Sequence, residues 1–359
     1  MIMTANDRML VFVGSYAEAA SDGIYVYELN EGKGELTLLD KVDGNKNPTF
    51  LNVDQAGNLL YAISETADED GTKTSDAAAY TIDPETGKLT EASRAYALNG
   101  PACHIQRSAN NKYLTLTSYH KGTISLVELA AGGKVGSVLD IQQHVGQGDY
   151  SGVAPHLHSS FYSPDQRFLL ACDLGLDLIR TYRIDEAEGK LVPVSDTRVE
   201  KGAGPRHLTF HPNGKFAYVI NELNSTVTAF QYDEEHGTLE TLETVPTLPA
   251  EWTGANGCAE ITISADGRFL YGSNRGHDSI VVYAVDPESG KLTTVQHVST
   301  EGQHPRHFSI VPGGKHVIAA NRDTNNLTLF TVDQDTGKLT YTGHSVEVSK
   351  PVCVWAVRF

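Results

Sequence analysis

Pro205-Arg-His-Leu-Thr-Phe-His-Pro-Asn-Gly-Lys-Phe-Ala-Tyr-Val-Ile-Asn-Glu222 is matched, further along the chain, by Pro305-Arg-His-Phe-Ser-Ile-Val-Pro-Gly-Gly-Lys-His-Val-Ile-Ala-Ala-Asn-Arg322. Each stretch is an alternating apolar run, a tight turn and a second apolar run, the pattern of two antiparallel strands. Related segments begin near Thr49, Cys103, His158 and Ala259. Val352 to Phe359 holds only the first run, and its continuation lies at the other end of the chain, in Met9 to Tyr16. Equivalent positions are therefore 49, 103, 158, 206, 259, 306 and 352, with spacings of 46 to 55 residues.

A second phrase keeps step with the first. Asp286-Pro-Glu-Ser-Gly-Lys-Leu292 returns as Asp83–Leu89, Asp185–Leu191, Asp233–Leu239 and Asp333–Leu339, and in shorter form at Gly32–Leu36 and Gly132–Val135. Its Asp, Pro and Gly are turn formers between strands. Seven in-step units of about four short strands each predict an all-β chain, a seven-bladed β-propeller spanning residues 1–359 as a single domain. The split last unit predicts closure of the ring by the C-terminal strand joining the N-terminal blade. The longest irregular stretches, Asp140–Pro155 and Pro246–Cys258, fall between one blade's outer strand and the next blade's inner strand, where loops shape sites.

The 359 residues carry a formal net charge of −17 with 40% hydrophobic and 20% charged residues, an ordinary globular composition. So acidic a chain argues against nucleic acid or an anionic membrane as partner. No run approaches the roughly 20 apolar residues needed to cross a bilayer. Met1 to Arg8 is polar and lacks the apolar run of a secretory leader, so a cytoplasmic location is expected. Cys103, Cys172, Cys258 and Cys353 are far apart, and they read as buried, reduced thiols.

The first strand of a unit starts, and the second ends, at the same face of the disc. The first column reads Thr49, Cys103, His158, Arg206, Ala259, Arg306, Val352. The second reads Glu65, Tyr119, Leu174, Glu222, Arg275, Arg322 and, more loosely, Tyr16. Four arginines, two glutamates and a histidine thus gather on one rim. The chemistry varies from unit to unit, as a site for an asymmetric ligand requires. The residues one step earlier (Ser64, Ser118, Asp173, Asn221, Asn274, Asn321, Ser15) are all small and polar and read as strand-end hydrogen bonding. His207 and His307, beside Arg206 and Arg306, are expected by strict alternation to face between blades as packed, hydrogen-bonded core histidines.

Guanidinium groups bind carboxylate and phosphate through paired hydrogen bonds, so this rim is an anion site, or else Arg206 and Arg275 simply pair with Glu222. Neighbouring arginines keep Glu222 ionised and fit to activate water. His158 is the alternative base, and Arg206 or Arg275 is placed for an oxyanion. There is no GxSxG elbow, Walker A loop or HExxH motif. His156 and His158 form an HxH without an evident third or fourth ligand, so no metal is expected.

On Pro155-His-Leu-His-Ser159, Cys172-Asp-Leu-Gly-Leu-Asp177, Gly204 to Gly214 and Ser273-Asn-Arg-Gly-His-Asp-Ser279, the whole chain resembles the propeller lactonases. That family includes bacterial 6-phosphogluconolactonases and fungal carboxymuconate-lactonising enzymes. The resemblance implies a site of His158, Arg206, Glu222 and Arg275, the same quartet the columns bring to the rim. It also implies a small anionic lactone as substrate, and no metal or organic cofactor. For a 6-phosphogluconolactonase the reaction is hydrolysis of 6-phospho-D-glucono-1,5-lactone in the pentose phosphate pathway. Arg306 and Arg322 are then candidates for the phosphate, with Glu65 and Tyr119 also facing the substrate. The alternatives are a lactone-acting enzyme of the muconate type and a non-catalytic binding propeller.

Overall fold

A computed structural model describes residues 8–359. The polar start read as lacking a leader lies, except for Arg8, outside the described residues. Among the described residues twenty-eight strands, β1 to β28 in chain order, form seven four-stranded antiparallel sheets. Six blades are simple meanders from channel to periphery, such as β16 (Pro205–Phe210), β17 (Phe216–Asn221), β18 (Thr226–Asp233) and β19 (Thr238–Pro246). The seventh combines β28 (Pro351–Arg358) with β1 (Met9–Ser15), β2 (Ile24–Asn30) and β3 (Glu35–Val42). β1 and β28 pair antiparallel from Met9↔Arg358 to Ser15↔Pro351, so the two ends of the chain close the ring as the split repeat predicts. Among the described residues no helix is long and apolar enough to cross a membrane.

Burial follows the position of each strand in its blade. Phe216–Asn221 is buried along its whole length, because neighbouring blades cover both faces. The outer strand Thr238–Pro246 is exposed or half-buried except at Leu239, as a strand at the periphery is.

The recurring turn phrase is a blade-to-blade clasp. The hydroxyls of Tyr218 and Tyr271 donate to the carbonyls of Gly290 and Gly337 in the next blade's turn, at 3.0 and 2.9 Å. Gly290 has φ +69°, and a Cβ there would stand 2.6 Å from the Phe216 ring. Left-handed strain plus overpacking predicts that Gly290→Ala costs about 2 kcal/mol. A lowered denaturation midpoint with unchanged activity is the expected result.

The small polar column proves structural. Asn221, Asn274 and Asn321 are fully buried and bond to neighbouring backbone or hydroxyl groups. The four cysteines are free thiols, but Cys103 is half-buried, unlike the three buried ones, because it opens onto the rim.

Candidate active site

The inner strands begin at one face of the disc, and five of them do so with a break in register, three of which carry charged or titratable rim residues. Pairing passes from Leu157↔Asp173 to Ser159↔Cys172, from Pro205↔Asn221 to His207↔Ile220, and from Pro305↔Asn321 to His307↔Ala320. His158, Arg206 and Arg306 are the residues skipped. A bulge leaves its extra residue unpaired and re-aims its side chain, so the rim residues and their successors no longer alternate between faces. This corrects one expectation. His207 and His307 are packed and hydrogen-bonded, but they face the channel and not the gaps between blades. The His207 ring meets Phe50, His104 and Phe161, from blades on other sides of the ring, with centroids 5.6 to 5.8 Å apart.

Above this layer Glu222 is gripped by two arginines from its own and the next blade. Arg206 Nε lies 3.0 Å and Arg275 Nη2 2.9 Å from its Oε2. Both guanidiniums are held from behind by main chain. Arg206 Nη1 donates to the Ala259 carbonyl (2.7 Å), and Arg275 donates to the carbonyls of Gly257 (3.0 Å) and Cys258 (2.6 Å). Arg206 is 2% exposed. Burial, then the charges of Arg275 and Arg306, pull it below an arginine's ordinary value. Burial alone would push Glu222 up, but Arg206, Arg275 and Arg306 outweigh it and hold the carboxyl below the ordinary glutamate value.

His158 completes the quartet. Its ring is buried, and burial together with Arg206, His207, Arg306 and Arg275 drives its pKa well below that of a free imidazole. It is therefore neutral at pH 7. Its backbone is set by Asp173 in the small polar column. Asp173 Oδ1 accepts the backbone N–H groups of His156, Gly175 and Leu176, and its Oδ2 contacts His144 Nδ1 at 2.8 Å. His144 Nε2 contacts the Tyr182 hydroxyl at 2.7 Å, anchoring the long 140–155 loop beside the rim.

A cavity of about 290 Å³ opens over this cluster, with Glu222, His158, Arg306, Tyr119, Glu65 and Cys103 in its wall. Arg306 lies over the Tyr16 ring at 5.9 Å, and among the described residues no carboxylate pairs with it. Tyr119 stacks on His156 at 4.4 Å. Glu65 is bound by Lys73 (2.9 Å) and Asn47 (3.3 Å), with Lys46 further off at 3.9 Å. Arg322 differs from the other rim arginines. It pairs with its neighbour Asp323 at 2.6 Å and approaches His304 at 3.4 Å, whereas of the four rim arginines Arg306 alone lines the cavity. Cys103 is not an activated nucleophile, since burial pushes its thiol up. Among the described residues no group of three or more His, Cys, Asp or Glu could hold a metal ion.

Sequence columns missed Asn47 in the cavity wall, Lys46 and Lys73 beside Glu65, and Glu260 beneath the cavity. Glu260 follows Ala259 of the first column, and only the bulge in its strand (between Cys258 and Ile261) turns it inward.

The family model "Lactonase, 7-bladed beta-propeller" matches residues 10–356. A protein named 6-phosphogluconolactonase from Bacillus subtilis is 36% identical over 307 residues, covering 85% of this chain and 86% of the relative. One of the same name from Formosa agariphila is 34% identical over 310 residues, covering 84% and 86%. The solved structure of a periplasmic gluconolactonase from Pseudomonas aeruginosa, PpgL, superposes with a TM-score of 0.90 at 32% identity, covering 98% of this chain and 99% of the other.

Proposed function

Because the chain belongs to the seven-bladed β-propeller lactonases, a family of lactone-hydrolysing enzymes, we propose that it hydrolyses 6-phospho-D-glucono-1,5-lactone at the rim cluster. The observation that carries this reading is an ionised Glu222 between two buried guanidiniums, at the wall of a cavity that also presents the unpaired Arg306.

In the proposed mechanism Glu222 takes a proton from a water that attacks the lactone carbonyl carbon. Arg206 and Arg275, already fixed by main-chain carbonyls, stabilise the oxyanion of the tetrahedral intermediate. As the bond to the ring oxygen breaks, Glu222 returns its proton there and the hydroxyl product forms. The neutral His158 lies beside the reacting atoms as a hydrogen-bonding partner. The new carboxylic acid ionises at neutral pH, so each turnover yields one proton. Arg306 supplies the phosphate contact, and Lys46 and Lys73 are further cations beside Glu65. Arg322, held by Asp323, is an outer candidate.

A second reading is an unphosphorylated aldonolactone. It is favoured by the similarity to the Pseudomonas gluconolactonase and by a cavity wall with one unpaired arginine. Arg306→Ala separates the two. If Arg306 binds phosphate, KM for the phosphorylated lactone rises about tenfold or more, the scale of one charge-assisted contact, while KM for gluconolactone barely moves. Equal effects on both lactones remove Arg306 from the phosphate role. The test of the function itself is hydrolysis of freshly made 6-phosphogluconolactone, coupled to 6-phosphogluconate dehydrogenase, with the spontaneous opening rate subtracted. No acceleration over that background sinks the phosphogluconolactonase reading and directs the search to other lactones.

A further inference from the structure

Beneath the rim the channel is closed by one layer of side chains, chiefly Phe50, His104, His207, Glu260 and His307. Beyond that layer a second cavity of about 420 Å³ opens toward the opposite face, with Glu260 and His307 in its wall. The layer is thus a thin partition between two cavities, and it is built from groups that can exchange protons. Glu260 Oε2 is 3.0 Å from His207 Nδ1 and 3.1 Å from His307 Nε2, while Oε1 accepts the Ile261 N–H at 3.0 Å. Glu260, His207 and His307 are all more than nine-tenths buried. On the rim side the His207 ring meets the His158 ring, with centroids 5.1 Å apart. His158 Nδ1 and His207 Nε2 are both buried without a hydrogen-bond partner.

We propose that His207 and Glu260, with His307 holding the carboxylate, form a relay that carries the proton released by lactone hydrolysis from the rim, through the channel floor, to the second cavity. This rests on the rim being the site of hydrolysis. The proton balance is simple. The product acid loses one proton per turnover, and no heavy-atom bond is made or broken in the relay. A proton arriving at His207 Nε2 displaces the one on Nδ1 to Glu260, Glu260 releases it to the second cavity, and a half-turn of the His207 ring restores its Nδ1–H; His307, whose Nδ1 accepts the Val354 N–H, donates from Nε2 and holds the Glu260 carboxylate in place.

The route downward is favoured because bound substrate fills the rim cavity; Arg206, Arg275 and Arg306 bear on His207 as well as on the rim. The other groups facing the relay are His104, Arg206 and Arg306 around His207, and Arg206 and Cys353 near Glu260. Burial pushes the Glu260 carboxyl up, against the charges of His307 and Arg206, so it holds a proton more readily than a free glutamate. Burial and the nearby cations keep His207 and His307 neutral, so that His207 accepts and passes a proton without storing one.

Glu260→Gln tests the proposal, since the amide oxygen can keep both histidine contacts, giving up only the Ile261 N–H contact, but cannot take up a proton. Folding and KM should be preserved. At low buffer concentration kcat should fall about tenfold, the low side of acid–base contributions, and recover as a small buffer such as imidazole or acetate is raised. Wild type should show no such buffer dependence. An unchanged kcat, or a loss equal at every pH and buffer concentration, overturns the relay. Should Glu260→Gln not fold, Thr262→Phe narrows the second cavity without touching the rim. It should give the same buffer-dependent loss, and an unchanged kcat overturns the relay equally. Full activity in Glu222→Gln sinks the rim reading instead, whatever Glu260 does.

Discussion

Glu222→Gln is expected to lower kcat about a thousandfold while KM changes only a few-fold, because it removes the proposed base and spares the shape of the cavity. The substitution is isosteric, so Arg206 and Arg275 keep an oxygen to bond. What they lose is a negative charge within 3.0 Å. Leaving two buried cations less well compensated should also cost about 2 kcal/mol, below the full loss for breaking a buried pair because the Glu222 side chain is 21% exposed.

The pH dependence follows from the same contacts. The folded-state pKa of Glu222 is held below the 4.5 of a free glutamate. Its stabilising contribution is therefore fully present above 4.5 and is lost as the pH falls through the lowered folded value. The ionised form disappears over that same lower range, so the wild-type rate should stay flat through neutral pH and drop only below the ordinary glutamate value. The glutamine variant should lack that acid limb. A variant with wild-type kcat would take Glu222 out of the chemistry and return the base role to His158.

The rim was legible in the sequence because a propeller repeats its register. Once Pro205–Glu222 and Pro305–Arg322 are aligned, Arg206, Glu222 and Arg275 must stand near one another whatever their rotamers, and the structure joins them through one carboxylate oxygen. What alignment cannot convey is a local break in that register. The bulges at His158, Arg206 and Arg306 add one residue each and send His207 and His307 into the channel, where period-two alternation points them elsewhere. Glu260 was invisible for the same reason, since its meaning comes from two histidines that reach it from other blades. Arg322 shows a different limit. Its column is that of the rim arginines, but its neighbour Asp323 captures the guanidinium at 2.6 Å, a one-residue contact that no column displays.

Arg206→Met is expected to separate activity from stability. Truncating one partner of a buried pair ordinarily costs 3 kcal/mol or more, because the other charge is stranded. Here Glu222 would keep Arg275 at 2.9 Å and its partial contact with solvent, so it is not stranded. The Ala259 carbonyl would lose the donor it has at 2.7 Å, a cost of about 1–2 kcal/mol. Against this, methionine fills much of the arginine's volume. It also removes a cation that burial disfavours and that Arg275 and Arg306 repel. These effects are of similar size and opposite sign, so the denaturation midpoint should shift by no more than about 1 kcal/mol in stability. No such offset exists for the reaction. With one oxyanion partner gone, kcat should fall by about a hundredfold to a thousandfold. Denaturant titration and steady-state kinetics on the same preparation decide the matter. A variant that loses several kcal/mol but keeps its rate would make Arg206 a structural strut between blades. A variant that keeps its stability and loses its rate identifies a charge held in an unfavourable place for what it does in the transition state.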